Sequence, residues 1–240
     1  MKILFVSQHY RPEPFRLSDI CEDLVERGHE VTVLTGIPNY PEGKIYADYR
    51  NKQNRRETIE GVTVFRSYTI PRGKNTLHRI LNYFSFAISS SIGVLLGQYK
   101  AKDGSEFDCV FVNQSSPVMM AWAGMVYKNK YKKPLFLYCM DVWPDSLTVG
   151  GVKQDGLIFK LFKFISKKVY RASDYIFVTS PSFKNYFVNQ FDITEQKITY
   201  LPQYAEDLFI PDESIVNKES VDLTFAGNIG KAQNLETILK

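Results

Sequence analysis

The sequence predicts an α/β fold: a parallel β-sheet with helices on both faces. Two observations point there. Short β-rich runs alternate with stretches of helical periodicity, the pattern of βαβ units. Most of those runs are continuously apolar rather than alternating, as strands covered on both faces must be. The 240 residues leave room for one large domain of about 200 residues and a remainder.

The elements follow in order. Strands are expected at residues 3–7, 31–35, 62–68, 109–113, 135–139, 176–179 and 198–201. The first helix, residues 18–27, should end at Gly28, which tolerates the left-handed conformation that closes a helix. Two later helices should open on Ser116-Pro117 and Ser180-Pro181. Serine suits the N-cap, and proline suits the first helical position, where its missing N–H would be unbonded anyway. Residues 80–99, ILNYFSFAISSSIGVLLGQY, carry no charge. That length reaches a membrane span, but Asn82, Gln98 and the serines weaken insertion. A long buried or interfacial helix is expected instead, with Arg72, Lys74, His78 and Arg79 on its basic upstream flank.

Residues 157–171, LIFKLFKFISKKVYR, read as an amphipathic helix. At 100° per residue Leu157, Ile158, Leu161, Phe162, Ile165 and Val169 share one arc, with Lys160, Lys163, Lys167 and Arg171 opposite. The apolar arc should pack on the sheet, leaving the lysines to solvent or to an anionic membrane surface.

The end of the chain begins something new. Residues 221–240, VDLTFAGNIGKAQNLETILK, read as a strand, a glycine-containing loop and the opening of a helix. Gly227 and Gly230 flank the kind of turn that presents backbone N–H groups to phosphate. The expected organisation is a first domain at 1–203, a polar linker at 204–220, and the truncated start of a second α/β domain at 221–240.

Composition excludes several classes. A net charge of +4 does not call for nucleic acid. Cys21, Cys109 and Cys139 are odd in number, lack CxxC spacing and have no histidine neighbours, which argues against zinc and against a disulfide framework. A reducing compartment is the simple reading. The N-terminus is a strand, too short in its apolar run for a signal peptide. No GxGxxG follows the first strand, no GxxxxGK[ST] is present and no GxSxG occurs, which disfavours nicotinamide dehydrogenases, Walker-type nucleotidases and serine hydrolases.

In a parallel sheet ligands bind beyond the carboxyl ends of the strands, so the residues following each strand carry the chemistry. These are Gln8, His9 and Arg11 after the first, Asn39 and Tyr40 after the second, and Arg72 after the third. Asn113 and Gln114 follow the fourth, and Asp141 the fifth, with Asp145 beyond it. Carboxylates, amides and guanidinium on one rim suit a ligand rich in hydroxyls or phosphate. Each has a plainer reading: His9 packing in its loop, Asp141 capping a turn, Arg72 a surface cation.

The stretch KILFVSQHYRPEPFRLSDICEDLVERGHEVTVLTGIPNYPEGK resembles the start of glycosyltransferase family 4, retaining enzymes of the GT-B fold. PNYPEGK, MDVWPDS, RASDYIFVTS and FAGNIGKAQ are most similar to the branch that includes L-fucosamine transferases of surface-polysaccharide assembly. The resemblance implies two Rossmann-like domains facing across a cleft. The first would bind acceptor through His9, Arg11, Asn39, Arg72, Asn113 and Gln114, with Asp141 as the catalytic group on the acceptor hydroxyl. The second would bind a UDP-linked sugar, its diphosphate held by Asn228, Gly230, Lys231 and Gln233 without a metal or other cofactor. The implied acceptor is a polyprenyl-diphosphate-linked saccharide, reached from the cytoplasmic face of an anionic inner membrane. The paired glutamates of such a donor site would lie beyond Lys240, so this chain should favour acceptor over donor and transfer little alone. Two other readings stay open: a GT-B sugar-nucleotide epimerase, and a non-catalytic α/β binding module docked on a membrane.

Overall fold

A computed structural model of the chain describes residues 1–73, 75–205, 210, 224–227 and 234–238. Residues Met1–Pro202 form one compact unit and Gln203–Lys240 another. In the second, the described residues include one 3-10 turn, Leu235–Thr237. Residues 206–209 and 211–220 of the expected linker, 221–223 of the expected strand and 228–233 of the expected donor loop lie outside the described residues.

The first unit is an eight-stranded sheet in the order β3-β4-β2-β1-β5-β6-β7-β8. Its strands are β1 Lys2–Val6, β2 Glu30–Thr35, β3 Arg56–Ile59, β4 Val62–Arg66, β5 Cys109–Gln114, β6 Leu135–Cys139, β7 Tyr175–Val178 and β8 Ile198–Tyr200. All neighbours pair in parallel except β3 with β4. Seven of these strands are the seven expected. β3 is the one the sequence did not announce. Its sequence, RETI, alternates exposed and half-buried side chains, and such a charged edge resists pairing with another sheet. It turns into β4 through Glu60 and Gly61, both at positive φ, the backbone that a two-residue hairpin requires.

Helices cover both faces, as predicted. On one face α1, Leu17–Glu26, lays Leu17 and Cys21 against Ile3, Phe5, Val31, Val33, Val62 and Val64. Gly28 has φ +81°, the helix-closing geometry expected of it. On the other face lie α2 Thr76–Leu95, α3 Trp122–Tyr131, α5 Leu157–Ala172 and α6 Pro181–Phe191, over a core containing Leu4, Val6, Val110, Val112, Leu137 and Ile176. The short α4, Ser146–Val149, follows β6.

Three expectations need correction or completion. Pro181 does stand at the first turn of α6, but Pro117 precedes a 3-10 turn, Val118–Ala121, which then runs into α3. The uncharged segment becomes α2, burying Asn82, Phe86, Ala87, Ser90 and Val94 while Ile88, Ile92 and Leu95 stay exposed. No helix among the described residues is long and apolar enough to cross a membrane. In α5 the buried residues are Phe159, Ser166, Val169 and Tyr170. Leu157, Ile158 and Leu161, expected on the core arc, are exposed. Phe162, Ile165 and Val169 of the expected arc do pack on the core. The helix is apolar over more than one face, so periodicity found only part of the side that meets the core.

Candidate functional site

The order of the sheet fixes where a ligand can sit. The chain leaves β1 towards β2 on one side and continues from β5 towards β6 on the other. The crevice between the carboxyl ends of β1 and β5 is therefore the switch point where α/β proteins bind their ligands.

The loop after β1 is held by its own side chains. Ser7 Oγ donates to the His9 carbonyl at 2.9 Å. His9 stacks on Phe15, 4.5 Å between ring centres, and Tyr40 meets both rings edge-on. The Nδ1 of His9 is 2.9 Å from Glu13 Oε2, and both side chains are buried. Glu13 Oε1 accepts the N–H groups of Asn39 and Tyr40 at 2.8 and 2.7 Å. A carboxylate can only accept, so Nδ1 is the ring nitrogen that donates here. Among the described residues the ring hydrogen bond of His9 is made through Nδ1.

The PNYPEGK loop is docked on the next one. Asn39 Oδ1 accepts the Arg72 N–H at 2.8 Å, and its Nδ2 donates to the Ile37 carbonyl at 2.8 Å. Gly43 sits at φ +70°, where a Cβ would lie 2.0 Å from the Arg72 carbonyl oxygen. Only glycine allows this approach. The Arg72 guanidinium is thereby brought over the Tyr40 ring, 6.0 Å from its centre.

Below these loops Arg66 is fully buried at its side chain. It pairs with Glu57 at 2.6 Å, lies 4.6 Å over the Tyr49 ring and donates to the Arg11 carbonyl. Arg11 turns away from the crevice to a two-pronged pair with Glu22 of α1, at 2.6 and 3.0 Å. Burial pushes the Tyr10 phenol and the Cys21 thiol well up, so both are neutral near pH 7.

Just beyond the end of β1 and at the end of β5 stand two buried glutamines, Gln8 and Gln114. Val6 pairs with Val112, so the same register puts Gln8 level with Gln114. Gln8 Nε2 donates to Asn82 of α2 at 2.7 Å, and Gln114 Nε2 donates to the Asp141 carbonyl at 2.8 Å. Both Oε1 atoms are buried without a partner among the described residues. An unsatisfied buried acceptor costs about 1–3 kcal/mol, and such costs concentrate at functional positions. Asn113 borders the crevice from β5 on the opposite sheet face.

Asp141 is engaged within its own loop. Its Oδ2 accepts Trp143 Nε1–H at 3.0 Å, and the Ser146 hydroxyl bonds its Oδ1. Asp145 bonds the Tyr186 hydroxyl in the same way, and Trp143 N–H donates to the Tyr170 hydroxyl at 3.1 Å. The MDVWPDS segment is thus a lock between β6, α4, α5 and α6.

Of the residues predicted from sequence, His9, Asn39 and Arg72 come together, and Gln114 stands at the end of the strand beside that of Gln8. Arg11 is tied to α1, and Asp141 to its loop. Asn228, Gly230, Lys231 and Gln233 lie outside the described residues. Sequence reasoning missed Glu13 and Arg66. The only signal for Glu13 was its place in a Pro-Glu-Pro loop four residues after His9.

The fold is shared with solved glycosyltransferases at low identity. It matches Anabaena Alr3699/HepE in complex with UDP and glucose at TM-score 0.50 and 14% identity, over 89% of this chain and 48% of that one. It matches Phytolacca americana UGT2 at TM-score 0.51 and 13% identity, over 86% and 53% of the two chains. A UDP-glucose: anthocyanidin 3-O-glucosyltransferase matches at 0.52 and 10% identity, over 88% and 55%. At these identities the likeness is one of fold: the N-terminal domain of GT-B glycosyltransferases. In sequence, the chain is 26% identical to WcaI of Escherichia coli (strain K12), named as a colanic acid biosynthesis glycosyl transferase. The alignment takes in all of this chain and spans 62% of that relative's length. The model of Glycosyltransferase Family 4 matches residues 16–203, and the chain belongs to that family.

Proposed function

We propose that this chain is the acceptor-binding half of a retaining glycosyltransferase. The enzyme moves a sugar from a UDP-linked donor to a polyprenyl-diphosphate-linked saccharide during surface-polysaccharide synthesis. The observation that carries the reading is the crevice of a Family 4 chain in which His9, oriented by buried Glu13, stands with Arg72 and Tyr40. An acceptor hydroxyl bonds His9 Nε2, its sugar ring lies on the aromatic pair Phe15 and Tyr40, and Arg72 takes a phosphate or a second hydroxyl. The hydroxyl oxygen then bonds the anomeric carbon, its proton passing to His9 Nε2, as the bond to the diphosphate breaks on the same face. The departing oxygens are held by backbone N–H groups and Lys231 of the donor loop, which enters from the sequence alone. In this reading Asp141 shapes the rim through its loop.

The test is transfer of label from a panel of UDP-sugars to a short polyprenyl-diphosphate saccharide, comparing the full-length parent with residues 1–240. Transfer by the parent alone is expected. His9→Asn in the parent should lower kcat/KM by about 10²–10⁴, whereas Asp141→Asn should lower it less. Failure of the parent to transfer any UDP-sugar, with the donor epimerised or untouched, would overturn the reading. A larger loss from Asp141→Asn than from His9→Asn would return the catalytic role to Asp141.

A further inference from the structure

The uncharged helix α2 buries an asparagine whose side chain spans the two loops that carry His9 and Arg72. Asn82 is fully buried. Its Oδ1 accepts the Gln8 Nε2–H at 2.7 Å, and its Nδ2 donates to the Ile70 carbonyl at 2.6 Å. Gln8 immediately precedes His9, and Ile70 stands two residues before Arg72. Each end of the amide is therefore used towards a different loop. Leucine at this position would favour the helix and need no partners, whereas a buried amide is costly unless both its ends are bonded. What asparagine adds is the link between the loops.

Two serines extend the link. Ser85 Oγ accepts the Ile70 N–H at 2.9 Å, and Ser89 Oγ donates to the Tyr68 carbonyl at 2.6 Å. Positions 82, 85 and 89 follow the i, i+3, i+7 spacing of a single helix face. Ser90 and Ser91, off that stripe, bond back to the Phe86 and Ala87 carbonyls of their own helix. The stripe holds a segment in which Pro71 has no N–H to contribute and the Arg72 N–H is taken by the Asn39 side chain. A Cβ on Gly73 would stand 2.6 Å from the His78 Cβ, so the chain leaving Arg72 runs against the first turn of α2.

We propose that Asn82 is a positioning residue that sets Arg72 against His9. One planar amide on a rigid helix ties the end of β1 to the approach of Arg72, so the ring and the guanidinium meet an acceptor at one spacing. Ser85 and Ser89 keep the Arg72 segment on the same helix face. The role rests on the reading of His9 and Arg72 as acceptor-binding groups, and it supplies the side chain that relates them. In the sequence Asn82 is only a break in an apolar run. Its two partners come from β1 and from the loop after β4, and the fold alone brings them to it.

Steady-state transfer by the full-length parent, with acceptor and donor varied separately, tests the role. Asn82→Leu keeps the bulk and the helix but gives up both bonds, and Ser85→Ala gives up one. The first should raise the acceptor KM about tenfold to a hundredfold and the second less, with the donor KM unchanged. Ser91→Ala removes a hydroxyl bonded within the same helix and should change neither KM. In an Arg72→Met background Asn82→Leu should add little, because the group it positions is gone. Hydrogen exchange of residues 1–240 gives a readout free of activity. Asn82→Leu should speed exchange of the Ile70 and Arg72 amides while those of β5 and β6 stay protected, which also shows the variant folded. If exchange rises throughout, Ser85→Ala carries the same comparison. Unchanged exchange at Ile70 and Arg72, an unchanged acceptor KM, or a full additional loss in the Arg72→Met background overturns the proposal. A parent that transfers no sugar overturns the functional reading on which the role rests, a failure that the exchange data keep separate from loss of the tether.

Discussion

The two faces of the sheet handle charge and apolar surface in opposite ways. On the α1 side carboxylates are engaged within the fold: Glu13 by His9, Glu57 by Arg66 and Glu22 by Arg11. Among the described residues α1 leaves no large apolar side chain exposed. On the α2–α3–α5 side the helices lack carboxylates, and both cations and leucines point outward. Burial and pairing on the first face serve a precise loop geometry at the strand ends. The second face keeps surface in reserve, which a folded protein does only where something else covers it.

The largest effect expected from breaking that comparison lies within α5 itself. Tyr170→Ala, on the buried side and in contact with Phe187 and Phe191, should cost about 3–5 kcal/mol. Leu157→Ser, on the bare side, should stay within about 0.5 kcal/mol. Urea unfolding followed by circular dichroism reads both, and equal losses would mean that Leu157 is packed after all.

Glu13→Gln sharpens the other face. It keeps the shape but removes one acceptor from a buried set that holds His9 and two backbone N–H groups, at an expected cost of about 1–3 kcal/mol. The ¹⁵N shifts of His9 should lose the signature of a ring fixed with its proton on Nδ1. An unchanged tautomer would show that stacking on Phe15 alone orients the ring.

The smallest effect concerns a lysine of the second face that is neutralised within the fold. Burial raises the Asp174 carboxyl, but Lys128 and the Leu135 N–H outweigh it, and the group sits below its ordinary value. A carboxyl depressed on folding adds stability above the unfolded value, about 3.9, and loses it as pH falls through the lower folded value. Asp174→Asn should therefore flatten the acid limb of the stability curve below about pH 4. The pair is partly open to solvent, so the change at neutral pH should be under about 1 kcal/mol. A steeper acid limb in the variant would refute the assignment.

Seven strands were legible because a strand covered on both faces must be an uninterrupted apolar run, and such runs stand out in β5 and β6. β3 was not, since RETI carries charges at an exposed edge and its short alternation looks like a loop. At the site, His9, Asn39 and Arg72 were legible from their place after strands. Glu13 was not, because a glutamate between two prolines has no periodicity to betray that it will be buried. Gly43 within PNYPEGK gained its reason only when the Arg72 carbonyl was found against it.

The sequence by itself determined the α/β class, the strand ends where ligand chemistry gathers, and the positions of the lysines on α5. These follow from local pattern and from the direction of a parallel sheet. Only the tertiary structure decided that Arg11 leaves the crevice for Glu22, that Asp141 is engaged within its loop, and that Leu157, Ile158 and Leu161 face outward. Those outcomes depend on which neighbours compete for each group, and a helix apolar on more than one side has no means of choosing its buried face until the sheet and α6 are in place.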